Sequence, residues 1–156
     1  MEKKREVYEL LIKQIDAIME DIPYRISNLA NAAALIFHAL PDLNWAGFYL
    51  MQDGKLVLGP FQGREACIMI PVGRGVCGTA VERKETILVK DVHEFPGHIA
   101  CDSASESEIV IPLIVNDLVI GVLDIDSPVK ARFDEDDQTG LEKISELIEK
   151  MFERTE

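Results

Sequence analysis

Ile109-Val110-Ile111-Pro112-Leu113-Ile114-Val115-Asn116-Asp117-Leu118-Val119-Ile120-Gly121-Val122-Leu123-Asp124-Ile125-Asp126 is the stretch that decides the fold. Two apolar runs flank Asn116-Asp117, residue types that tolerate the left-handed backbone of a tight turn. The pattern predicts a hairpin with strands over residues 109–115 and 118–125. Side chains alternate along a strand, so Ile120, Val122, Asp124 and Asp126 should share one side. Two carboxylates thus continue an apolar face. A buried carboxylate is costly unless it meets a cation or keeps a proton. Either the strand emerges into the Ser127-Pro128 turn, which suits Asp126 better than Asp124, or the acids line a cavity with Glu108. Three acids around one cavity would attract a cation and leave at least one of them protonated, able to donate to a developing oxyanion.

Downstream of the hairpin, Asp134 should cap a helix over residues 135–154 with Leu141, Ile144, Leu147, Ile148 and Met151 inward. Upstream, Tyr8, Leu11, Ile12, Ile15, Ile18, Met19 and Ile22 make a helical stripe over residues 2–22, which Pro23 ends. A second helix over 24–40 should bury Ile26, Leu29, Ala30, Ala33, Phe37 and Leu40, leaving Asn28, Asn31 and His38 on the other side. Strands follow over 45–51 and 55–61 around Asp53-Gly54, then over 68–71 and 86–89. A helix over 76–83 follows the Gly73-Arg74-Gly75 turn. Residues 91–106 are a long irregular segment, a length that is usually functional in a compact domain. The expected architecture is α+β, a central antiparallel sheet with the N- and C-terminal helices packed on one face. One domain should span residues 1–156, its first helix over 1–22 and its core over 24–154.

Bulk properties narrow the function. The net charge of −12 argues against nucleic acid and anionic membrane, and suits a small cationic ligand. The chain shows no membrane-length apolar run and no signal-peptide core, so a cytoplasmic location is expected. Three cysteines cannot all pair within one chain. In a reducing cytosol such thiols are free, metal-bound or redox-active. The long first helix could pair two copies as a homodimer, or its stripe could cover the sheet.

Cys101 follows Gly97-His98-Ile99-Ala100 and precedes the small polar run Asp102-Ser103-Ala104-Ser105-Glu106-Ser107-Glu108, which cannot pack a core. A reachable thiol beside a cation such as His98 would be reactive. Cys77, after a glycine turn, is as well read as inert packing, since free cysteine is often buried. His98 and Cys101 stand at a ligand-like step, but the paired close spacing of structural zinc sites is missing, so no metal or cofactor is expected. Trp45 and Tyr49 fall on one face of their strand. They read first as sheet packing and second as an aromatic wall for an alkyl-bearing cation.

Taken together, Asn44-Trp45-Ala46-Gly47-Phe48-Tyr49, Gly59-Pro60-Phe61-Gln62-Gly63, Ala66-Cys67, Gly73-Arg74-Gly75-Val76-Cys77-Gly78, Phe95-Pro96-Gly97-His98-Ile99-Ala100-Cys101-Asp102, Ser107-Glu108-Ile109 and Gly121-Val122-Leu123-Asp124-Ile125-Asp126-Ser127 resemble the free methionine-(R)-sulfoxide reductases, which are single GAF domains. The resemblance implies reduction of free methionine-(R)-sulfoxide, with Cys101 as nucleophile, Cys67 as principal resolving cysteine and Cys77 as a third that assists. It implies that Glu108, Asp124 and Asp126 hold the substrate's ammonium group and sulfoxide oxygen, and that Trp45 packs on its methyl end. A disulfide formed in turnover would be reopened by an external dithiol, with thioredoxin the natural partner. The competing expectation is a non-catalytic GAF-type sensor of a small ligand or of redox state, which would keep its response when Cys101 is replaced by serine.

Overall fold

Eleven short-range patterns in the sequence become α1 (Glu2–Met19), α2 (Arg25–Ala39), β1 (Trp45–Gln52), β2 (Lys55–Gly63), β3 (Met69–Pro71), α3 (Gly75–Arg83), β4 (Ile87–Val89), a 3-10 turn (Val92–Glu94), β5 (Ser107–Val115), β6 (Leu118–Ser127) and α4 (Glu135–Arg154). The structure, a computed structural model, describes residues 2–99, 101 and 103–156, with Glu2 described in its backbone only. Ala100 and Asp102 of the cysteine motif lie outside the described residues.

The strands form one antiparallel sheet in the order β3-β2-β1-β6-β5-β4. Asp53 and Gly54, like Asn116 and Asp117, all have positive φ. Two left-handed residues match the strand twist of a two-residue hairpin, which explains both turns.

Strand alternation gives the sheet two different faces. Ala46, Phe48, Ile109, Ile111, Leu113, Leu123 and Ile125 meet α1, α2 and α4 in the larger core. Trp45, Tyr49, Val110 and Val122 point the other way and pack with Val76, Cys77 and Ala80 of α3. The terminal helices therefore share one face, as expected, and α3 packs on the other with Val92 of the 3-10 turn.

The α1 stripe is spent inside its own chain: Tyr8, Leu11, Ile15 and Met19 are buried, whereas Ile18 and Ile22 stay substantially exposed. The Tyr8 hydroxyl donates to Asp137 Oδ1 at 2.7 Å. The buried Asp137 also meets Lys4 at 2.9 Å and Arg132 at 3.3 Å, so its charge is matched. Asp134 caps α4 in a capping box with Asp137, as its position before the apolar stripe predicted. No helix among the described residues is long and apolar enough to cross a membrane.

Two expectations need correction. The buried face of α2 is Asn28, Leu29, Ala32, Ala33 and Ile36, while Ile26 is 61% exposed. Asn28 turns inward because its side-chain amide donates to the Ile22 carbonyl at 2.9 Å, satisfying the chain where it leaves α1. Ile120 leaves the Val122 face, because the β5–β6 register slips between Leu113 and Ile114 and puts it against the helix-side core.

Candidate active site

The three acids arrive on two neighbouring strands. Glu108 of β5 lies opposite Asp126 of β6, and Asp124 lies opposite Gly47 of β1. Gly47 has no side chain for a reason: a methyl there would overlap Phe61 and press on Trp45. Trp45 instead stacks between Phe61 at 5.1 Å and Tyr49 at 5.8 Å, a ladder of rings beside the acids. Its indole N–H donates to the Arg64 carbonyl at 3.1 Å, and the Tyr49 hydroxyl donates to the Cys67 carbonyl at 2.8 Å. Two aromatic donors on β1 thus hold the segment that carries Cys67.

Glu108, Asp124 and Asp126 are 6%, 5% and 9% exposed, so none emerges into solvent at the strand end. Burial, and then the neighbouring Asp124 and Asp126, push the Glu108 carboxyl well above its ordinary range. Burial also raises Asp124, while hydrogen bonds from Glu108 and Cys77 pull it back towards the charged form. Glu108 is therefore the group that keeps a proton, and Asp124 the one that accepts it in a hydrogen bond. Asp124 Oδ1 has no hydrogen-bond partner despite its burial. An unsatisfied buried acceptor of this kind suits a cationic guest.

Cys77 on α3 faces the same acids, its sulfur 4.0 Å from Glu108 Oε2. Burial and the acids beside it push its thiol up, so it stays protonated. Cys67 and Cys101 are joined in a disulfide with Cα atoms 5.5 Å apart. This bond ties the segment before β3 to the long segment after β4. His98 does not supply the cation expected near Cys101: burial, and then His93, lower its pKa and favour the neutral ring. Among the described residues, the close group of potential metal donors is Cys77, Glu108 and Asp124, without His98 or Cys101.

Trp45, Tyr49, Cys77, Cys101, Glu108, Asp124 and Asp126 all line one partly enclosed cavity of about 50 Å³, with Cys67 bonded to its rim. Arg74, Ile99 and Ser105 also line it, and the sequence reading gave them no role. For Arg74 a signal existed: a cation between two glycines ahead of a helix, where Gly75, Val76 and Cys77 of the first α3 turn also reach the cavity.

A six-stranded antiparallel sheet with a partly enclosed recess under a short helix is the architecture of a GAF domain, and the GAF domain family model matches residues 27–153. The chain is 52% identical to the free methionine-R-sulfoxide reductase of Escherichia coli over 98% of its own length and 93% of that protein. It is 47% identical to the enzyme of the same name from Saccharomyces cerevisiae, over 94% of this chain and 86% of the other. The free methionine-R-sulfoxide reductase of Neisseria meningitidis, solved in complex with its substrate, superposes with a TM-score of 0.94 at 45% identity, covering 97% of this chain and 91% of that one. The chain belongs to the free methionine-R-sulfoxide reductase family, a group of oxidoreductases built on the GAF domain.

Proposed function

We propose that this protein reduces free L-methionine-(R)-S-oxide to L-methionine, with Cys101 as nucleophile, Cys67 as resolving cysteine and thioredoxin as the dithiol that recycles them. The observation that carries this reading is the Cys67–Cys101 disulfide at the rim of a cavity whose buried acids retain a proton. The relatives' names supply the substrate.

In the reduced protein the Cys101 thiolate attacks the sulfoxide sulfur. Glu108, the protonated member of the acid cluster, delivers a proton to the oxygen as the S–O bond breaks. The oxygen passes to Cys101 as a sulfenic acid and methionine leaves. The Cys67 thiol then attacks that sulfenic sulfur, water departs, and the disulfide forms. Two electrons have moved from two thiols to the sulfoxide, and an external dithiol returns them.

Asp124 and Asp126 serve the ammonium group of the amino acid, and the unsatisfied Asp124 Oδ1 supports that role. Trp45 and Tyr49 flank the methyl end. Arg74 and the first turn of α3 carry the opposite charge on another wall, which suits the substrate's carboxylate. Cys77, buried and held as a thiol, is poorly suited to lead resolution, so Cys67 takes that part.

Methionine release from the separate R and S epimers, with excess dithiothreitol, tests the reading. Turnover of the R epimer alone is expected, and Cys101→Ser should abolish it. An inert wild-type protein with both epimers would sink the proposal in favour of a binding-only domain.

A further inference from the structure

The cavity explains how a sulfoxide is held, but not how a protein reductant reaches a disulfide at its rim. The two sulfurs are not placed alike. Cys101 lines the cavity, whereas Cys67 is absent from its lining among the described residues. Immediately after Cys67 come Ile68 and Met69, 70% and 58% exposed, with Val72 41% exposed two residues beyond Ile70. Three large apolar side chains thus stand in solvent on or beside β3, the outermost strand on its side of the sheet. Single exposed apolar residues are ordinary, but three within five positions of a redox-active cysteine mark an interaction surface.

Charge narrows the partner. The charged residues between positions 55 and 74 are Lys55, Arg64, Glu65 and Arg74, three positive and one negative, a net of +2 in a chain of net −12. Arg64 is 78% exposed and pairs with Glu65 at 4.0 Å, and the Glu82 carboxylate stands against Gly73, which leaves these groups together at +1. The exposed apolar residues therefore lie in a slightly basic part of an acidic protein. Its complement is an acidic protein with apolar surface around a reactive thiol.

We infer that Ile68, Met69 and Val72, with Arg64, form the docking surface for the dithiol protein that regenerates this enzyme, and that the partner's thiolate attacks the sulfur of Cys67. The inference rests on the catalytic reading above. The new bond forms between the partner's sulfur and Cys67 Sγ, the S–S bond to Cys101 breaks, and its electron pair leaves on Cys101 Sγ. The partner's second thiol then attacks its own sulfur in the mixed disulfide and releases the Cys67 thiolate. The partner ends as a disulfide, and both cysteines here are reduced. Attack at this sulfur returns Cys101 directly as the thiolate needed for the next sulfoxide.

The test compares a small reductant with a protein one. Wild type, the double variant Ile68→Ser/Met69→Ser and, separately, Arg64→Glu are assayed with dithiothreitol and with thioredoxin kept reduced by its reductase. Turnover with dithiothreitol should be unchanged in every variant. The kcat/KM for thioredoxin should fall on the order of tenfold in the double variant, the size of a lost interface anchor, and less in Arg64→Glu. An unchanged thioredoxin dependence, or an equal loss with both reductants, would overturn the docking surface. Thioredoxin lacking its second cysteine should be trapped on the oxidised wild-type protein through Cys67, and an adduct through Cys101 would overturn the assigned point of attack. The trap needs no sulfoxide, so it reads docking independently of methionine release. A failed release assay with dithiothreitol would count against the catalytic reading alone.

Discussion

Burial and two carboxylates oppose the charge of Glu108 and hold its carboxyl well above the ordinary range, and that has a thermodynamic signature. Above the ordinary carboxyl value of 4.5 the unfolded chain has lost this proton while the folded chain keeps it. Stability should therefore fall as pH rises from that value towards the raised folded one, at about 1.4 kcal/mol per pH unit for one retained proton. Urea midpoints measured from pH 5 to 8 should show this decline, and Glu108→Gln, which mimics the protonated form, should flatten it while slowing turnover about a hundredfold. A slope unchanged by the substitution would assign the proton elsewhere. Cys67→Ser carries a second prediction: about one methionine released per chain in a single turnover, followed by arrest when thioredoxin is the reductant. Continued turnover would move resolution to Cys77. The gathering of the acids was legible because a strand's period of two is strict, placing Val122, Asp124 and Asp126 together. The neutral His98 was not legible, because its state depends on burial and on His93, contacts that no local pattern encodes.

At the level of elements, α1 and α4 depend on a close contact. Gly140 of α4 sits against the Tyr8 ring, and a methyl there would overlap ring atoms. Gly140→Ala should destabilise the fold by about 1–3 kcal/mol despite the better helix propensity of alanine. Thermal or urea unfolding checks the sign, and a neutral or stabilising result would mean that α1 can shift to make room. The caps and strands were readable from residue types: Asp134, the two hairpin turns and Pro23 each act through local geometry. The α2 face was not, because Asn28 looks like a surface residue until the Ile22 carbonyl is seen to need a donor. Arg74 escaped notice for a similar reason. Its significance comes from the cavity beside it, which tertiary packing creates.

Across the whole molecule, the disulfide joins residues from opposite sides of the sheet: Cys67 precedes β3 at one edge, and Cys101 follows β4 at the other. Closing a loop of this separation, 34 residues, limits the unfolded chain and should stabilise the oxidised form by roughly 3–4 kcal/mol on the chain-entropy estimate. Calorimetry of the oxidised and reduced protein should place the reduced Tm lower by about 9–12 °C. Equal melting points would mean that strain in the folded state cancels the entropy gain. Since α3 and β4 lie between the two cysteines, the oxidised chain is a covalent ring with two tails. Lys84 lies on that ring, exposed and in the left-handed conformation just past α3. A tryptic nick after Lys84 would leave an oxidised molecule in one piece on a denaturing gel and split a reduced one in two. Band pattern after a brief digestion, with and without reductant, would then report what fraction of the enzyme rests between sulfoxide and reductant.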